Sequence, residues 1–249
     1  MNINDRVVNL MCLIAENGFI TITSLKDGIP RPSRIRYFDV LNELKFIDSF
    51  DTYLRLARAY YLTDAGYKYL EMAGKLRVLE RFVKSDYQLT QFFHTTLGLQ
   101  MRVAFQKHPY VIDYRTEKVV AYYQALHSGK ELLKRHSRQC DAEMIIKTKN
   151  GEYKVGVELE LTLKSFKRLI GIVRHIDVNR EDLDVVLWVA SSETIIWGLR
   201  RAIKALLPHL MHPNKHLFAL WNDLNSKQIN TVWRDAEGQK TKLFDTEVI

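Results

Sequence analysis

The chain has little cysteine: Cys12 and Cys140 are the two in 249 residues. Neither belongs to a CxxC pair, which argues against a zinc site and makes a reducing compartment the expectation. Cys12 falls in a helical apolar stripe and reads as a core residue. No apolar run approaches the roughly 20 residues of a membrane span. The opening "MNINDRVVNLMCLIAENG" sets Asp5, Arg6 and Glu16 among its apolar residues, so it does not read as a signal peptide. Internal repeats and low-complexity segments are absent as well. These absences point to a globular cytoplasmic protein with no membrane insertion. The composition agrees, because 47% hydrophobic residues suffice for one large core or two small ones. Charge of the negative sign is in deficit, with 37 Lys and Arg against 29 Asp and Glu. That balance admits a polyanionic partner, nucleic acid first and an anionic membrane second.

The first third reads as a small DNA-binding domain over residues 1–84. Val7, Val8, Met11, Leu13 and Ile14 recur at helical spacing. "RPSRIRYFDVLNELKFI" predicts a second long helix over 33–45, capped by Ser33, with Val40, Leu41 and Leu44 inward. "DSFDTYLRLARAYYLT" predicts two short strands around a basic loop, and Thr63 caps a helix in "LTDAGYKYL". This order is that of a winged helix-turn-helix, and "YYLTDAGYKYL" resembles the end of the wing in bacterial DNA-binding domains. On that reading Arg34 and Arg36 enter a major groove, while Arg55 and Arg58 contact the backbone. Solvated arginines on a plain helical domain are the bland alternative. Residues 63–107 read as almost continuous helix with a break near Ser85-Asp86, which places the domain join at 84/85.

Residues 85–249 read as α/β, which makes the chain α+β overall with a mixed sheet in its second half. A helix over "TEKVVAYYQALHSGKELLKRH" precedes strands at 141–147 and 153–161, a helix at 163–179, the strand "DVVLWVA", a helix from Ser192 and a strand near "HLFALW". The unit from 155 to 190 predicts a parallel crossover. Asn150-Gly151 is a strong hairpin signal. With those two residues as the turn, Glu143 opposes Glu158 and Asp141 opposes Glu160, all on one face, with the opposite face as the core. Opposed like charges destabilise a strand pair, and a divalent cation relieves them. Oxygen-only ligands suit Mg²⁺ or Mn²⁺. An exposed acidic face softened by Lys147 and Lys154 is the other possibility.

An Asp at a strand start, a hairpin, Glu-x-Glu on the next strand and a following helix resemble the PD-(D/E)xK nuclease core of restriction-endonuclease-like domains. The resemblance implies Asp141 and Glu158 as metal ligands, with Glu160 in the place of the usual lysine and Cys140 in that of the proline. Lys164, expected in the first turn of the next helix, is a candidate for the missing cation. Over a longer stretch, the winged helix, "FFHTTLGLQMRVAF", "DYRTEKV", the Asp hairpin and "VELELTLKSFKRLIGIV" are similar in order to the replication-relaxation family, in particular its MobC-class mobilisation relaxases. That similarity implies a metal-dependent nickase cutting one strand of double-stranded plasmid DNA at a transfer origin during conjugation. It also implies accessory DNA-binding and coupling proteins as partners. His94 and Glu117 join the candidate site on this resemblance; from the residues alone they read as a core histidine and a first-turn helix residue. Lys134, Arg135, Arg138, Lys167 and Arg168 are expected on phosphates. Tyr110, Tyr114, Tyr122 and Tyr123 lie ahead of the hairpin, yet water is the expected nucleophile. A non-catalytic DNA-binding regulator of plasmid replication or transcription, with a degenerate nuclease domain, is the alternative.

Overall fold

A computed structural model describes residues 3–25, 29, 31–52, 57–128, 140–227 and 230–243. The chain is α+β, with eight α-helices and two sheets among the described residues. It divides into two compact units, Met1–Val103 with Lys118–Leu133, and Ala104–Glu117 with Lys134–Ile249.

The first unit starts with α1 (Asp5–Asn17), where Asn4 accepts the amide of Arg6 as N-cap and Met11 and Ile14 are wholly buried. Strand β1 (Ile20–Thr21), helix α2 (Arg31–Glu43), strands β2 (Ile47–Asp51) and β3 (Arg58–Leu62) and helix α3 (Asp64–Met72) follow. The three strands form an antiparallel sheet ordered β1-β3-β2. Helix α2 begins two residues before the expected cap. Pro32 occupies its first turn, where a missing amide costs nothing, and Ser33 is therefore inside the helix. Thr63 does cap α3, accepting the amide of Gly66 at 3.3 Å and donating to the Lys45 carbonyl at 2.7 Å.

Helix does not run on from α3 as expected. Gly74 adopts φ +65° and its amide returns to Glu71, which stops the helix. The chain beyond is held irregularly by Tyr67, whose hydroxyl accepts the Phe82 amide at 3.0 Å. Helix resumes at α4 (Leu89–Gln106).

The second unit is built on a seven-stranded mixed sheet. Its strands are β4 (Val111–Thr116), β5 (Ala142–Thr148), β6 (Gly151–Glu160), β7 (Val185–Ala190), β8 (His216–Leu220), β9 (Val232–Arg234) and β10 (Lys240–Lys242). They lie in sequence order across the sheet; β6, β7 and β8 are mutually parallel, and the remaining neighbours are antiparallel. Helices α5 (Glu117–Ser128), α6 (Phe166–Asn179), α7 (Glu193–Leu206) and α8 (Trp221–Lys227) connect them. The strand β4 takes residues that carry no alternation, and β9 and β10 extend the sheet beyond the strands expected. One sheet face packs Val186, Trp188 and Phe218 against Leu169, Ile172 and Val173 of α6 and Ile196, Leu199 and Ile203 of α7. The other face is also covered: Met144, Val157 and Val189 are buried, and Phe105 stacks on Tyr114 and Trp233. On the helix-covered face, Trp188 Nε1 donates to His216 Nδ1 at 3.1 Å. Burial, aided by Lys215, lowers the His216 pKa to about 3, so this contact joins a neutral imidazole.

Gly66 gives a test in which two effects oppose each other. Helix propensity favours Ala over Gly by about 1 kcal/mol. A Cβ there would stand 2.3 Å from the Phe46 carbonyl oxygen, a backbone atom fixed by the Thr63 amide. Overpacking of this kind costs about 1–3 kcal/mol, and backbone yields least. Gly66→Ala is therefore predicted to lower the urea midpoint; a raised midpoint would show that the close approach is absent.

Candidate functional site: buried carboxylates on the central strands

The hairpin turn sits one residue earlier than its Asn-Gly pair suggests. Thr148 pairs with Gly151, so Lys149 and Asn150 are the loop, and Gly151 adopts φ +135° as the first residue of β6. The positive φ puts the glycine at the end of the turn instead of its centre. The register therefore differs by two from the expected one: Glu143 opposes Gly156, not Glu158. Extending it by one pair brings Asp141 opposite Glu158, not Glu160. A shift of two preserves the face, so Glu143, Gly156, Glu158 and Glu160 still point to one side.

That side is the one covered by α6 and α7, since Gly156, Glu158 and Glu160 lie beside Val186, Trp188 and Ala190. The carboxylates are thus not on a solvent face, and the opposite face is not the sole core. Glu143, Glu158 and Glu160 are 4%, 2% and 1% exposed. Cys140 joins the same side. Its Sγ would lie 2.9 Å from a Cβ on Gly156, and burial, followed by the Glu158 charge, raises its thiol pKa. Gly156 is needed for this approach, because Leu183 Cδ1 would stand 2.7 Å away on the other side.

Cations are brought to this face by the ends of α6. At the C-cap, Arg180 pairs with Glu143 and donates to Asp182 through Nε at 3.0 Å. Lys154 lies 3.1 Å from Glu143 and also pairs with Asp182. Burial alone would lower the pKa of Arg180, yet the Asp182 hydrogen bond and the Glu143 charge raise it. Before the helix, Lys164 pairs with Glu160. Lys164 belongs to the connection, not to the first turn as expected, because Ser165 is the N-cap and accepts the Arg168 amide. Asp141 is half-buried; its Oδ2 accepts the Leu159 amide at 2.7 Å.

Glu117 reaches the cluster through its backbone: its amide donates to the Asp141 carbonyl at 3.0 Å while its side chain is exposed. His94 lies on α4 within the first unit, half-buried. In that unit Arg34 is 8% exposed and its Nη1 donates to the Ile22 carbonyl at 2.9 Å, whereas Arg36 on the same helix is exposed. Arg58 is exposed, 3.5 Å from Asp51. Lys167 and Arg168 are exposed on the first turn of α6. Arg55, Lys134, Arg135 and Arg138 lie outside the described residues. Lys154 was expected beside the acidic face, whereas Arg180 was not foreseen as a partner of Glu143; a lone Arg at a helix end carries no local signal of a partner 37 residues earlier.

Among the described residues, no group of three or more His, Cys, Asp or Glu is placed to hold a metal ion. Asp141 accepts the Leu159 amide, and Glu160 is engaged by Lys164. No family model matches the chain, and searches of curated proteins and of solved structures find no match.

The ion pairs carry two testable outcomes. Breaking a buried pair by removing one partner costs about 3–5 kcal/mol, because the remaining charge is stranded. Lys164→Met is predicted to lose part of that stability in wild type and little of it in a Glu160→Gln background, measured by urea unfolding. Equal losses in both backgrounds would rule out the coupling. Asp182 sets an acid limb. Burial would raise its pKa, but hydrogen bonds from Arg180 and Lys154 hold it down from 3.8 to about 2. Its stabilising contribution is then full above pH 3.8 and lost as pH falls toward 2. Asp182→Asn should flatten that part of the stability–pH curve, and an unaltered curve would exclude the linkage.

Proposed function

We propose that this chain is a metal-dependent DNA nickase: a winged helix selects the duplex, and a PD-(D/E)xK-like unit cuts one strand. The observation that carries the reading is the succession on the mixed sheet. Asp141 enters β5, a tight hairpin follows, Glu158 and Glu160 share one face at the end of β6, and α6 opens with exposed Lys167 and Arg168. The winged-helix part is supported by the order α1, β1, α2, β2, β3, α3 with the sheet order β1-β3-β2. Exposed Arg36 is the groove-reading candidate on α2, since Arg34 is committed to the Ile22 carbonyl.

On this reading Asp141 and Glu158 would hold Mg²⁺ or Mn²⁺, which supplies charge for the developing negative phosphate oxygens. Lys164 pairs with Glu160 and holds its carboxylate at the end of β6. Lys167 and Arg168 hold the backbone without choosing sequence. The nucleophile is water. Tyr114 is 5% exposed and its ring stacks on Phe105, a packing role. The target is plasmid DNA at a transfer origin, with accessory DNA-binding and coupling proteins completing the complex. A non-catalytic DNA-binding regulator is the second reading, favoured by the Lys164–Glu160 pair and by the missing third ligand among the described residues.

Nicking of supercoiled plasmid in Mg²⁺ separates the two. Asp141→Asn and Glu158→Gln are each predicted to abolish nicking and to leave duplex binding nearly intact. Activity retained in either variant would remove the carboxylates from the chemistry. Wild type that binds duplex and leaves supercoiled plasmid intact would favour the regulator.

A further inference from the structure

The outer face of α6 and α7 carries two features that the carboxylate cluster does not use. One is a single sign of charge. The exposed charged residues of the two helices are Lys167, Arg168, Arg174, Arg201 and Lys204, against Glu193, which pairs with Arg234 at 3.3 Å. The other is exposed aromatic surface. Trp197 is 63% exposed and Phe166 38%. The Arg201 guanidinium lies 4.7 Å from the Phe166 ring centre and 5.5 Å from that of Trp197. The Arg201 guanidinium thus links the two rings into one contiguous patch. Leu163, 60% exposed, continues it, since its Cδ1 lies 3.6 Å from the position of a Cβ on Gly198. The next residue is Lys164, which holds Glu160, so the patch adjoins the carboxylates along the chain.

We propose that Phe166, Arg201 and Trp197 form a stacking platform for unpaired bases of single-stranded nucleic acid. Lys167, Arg168 and Lys204 hold the adjoining phosphates. An apolar protein partner would have to desolvate five cations to reach these rings, whereas a polyanion gains from each of them. A duplex presents edges and phosphates, with its base faces already stacked, and leaves the rings unused. A single strand offers both π-faces and charge, the two things this surface can bind. The inference deepens the proposed nickase by naming the strand state held beside its site, and it rests on that reading for its biological setting alone.

The test uses the full chain in EDTA, so that cleavage plays no part. Binding of a fluorescent oligothymidylate and of a duplex of equal length is measured for wild type, Trp197→Ala and Arg201→Ala. Loss of one base-stacking contact is expected to weaken oligothymidylate binding about tenfold for Trp197→Ala, with duplex binding changed by less than about twofold. Circular dichroism checks that the exposed substitutions leave the fold intact. Unchanged oligothymidylate affinity, or an equal loss on duplex, would overturn the platform. So would sedimentation showing a wild-type dimer that Trp197→Ala dissolves, since the face would then belong to a second copy. Failure to nick plasmid, by contrast, bears on Asp141 and Glu158 and leaves this result standing.

Discussion

Three glutamates lie within a sheet that is covered on both faces, and their neutralisation constrains the second unit. A carboxylate withdrawn from water costs several kcal/mol unless a cation and hydrogen bonds replace the solvent. For Glu160 and Glu143 the chain meets this demand from the two ends of one helix. Lys164, just before the N-cap of α6, serves Glu160, and Arg180 at its C-cap serves Glu143. Between those ends Leu169, Ile172, Val173 and Ile176 fix the helix to the sheet by apolar contact. Charge therefore sets where α6 starts and stops along β6, while burial sets its rotation.

The same constraint sorts the acidic residues by what they can do. Glu143 lies between Arg180 and Lys154, with both cations shared by Asp182, which is a fold-holding arrangement. Glu160 is held by Lys164, whose side chain is 17% exposed. Asp141 is the member of the four that retains partial exposure; its carboxylate accepts the Leu159 amide of β6 and its carbonyl the Glu117 amide at the start of α5. Solvent therefore reaches the four most readily at Asp141, where β5 begins and β6 ends. The exposed surface that continues from Lys164 onto α6 and α7 is cationic and aromatic.

The parts of this arrangement legible in the sequence are those set by local period. Alternation over 141–161 and the apolar run 185–190 located the strands of the parallel unit within a few residues. Helix α7 could be placed because Ser192 stands directly before an amphipathic run. Strand β4 escaped because its burial does not alternate and a bulge falls between Val111 and Asp113. The end of α3 was missed because its stop depends on Gly74 in a left-handed conformation and on the distant hold of Phe82 by Tyr67. One partner of Glu143 was unreadable for a related reason. Lys154 was expected beside the acidic face, but Arg180 is 37 residues away and its pairing leaves no periodic trace.

Face and register carry different weight as evidence. A two-residue slip leaves every side chain on its side of the sheet and changes every opposed pair. Here the slip replaced Glu158 by Gly156 opposite Glu143, and so removed one of the two like-charge oppositions that first suggested a cation. It left all the glutamates together and made their setting harsher than opposition would, because the shared face is dry. Two carboxylates 5 Å apart repel by about 3 kcal/mol at an effective dielectric of 20, which the lysine and arginine partners can offset. Of the four acids, Asp141 keeps partial exposure and accepts the Leu159 amide, whereas Glu158 is 2% exposed. A fold needing stability alone would gain more from apolar residues of similar size at those positions. Acids at those positions, in a unit whose outer helices expose cations and two rings, are what the proposed chemistry on a polyanion rests on.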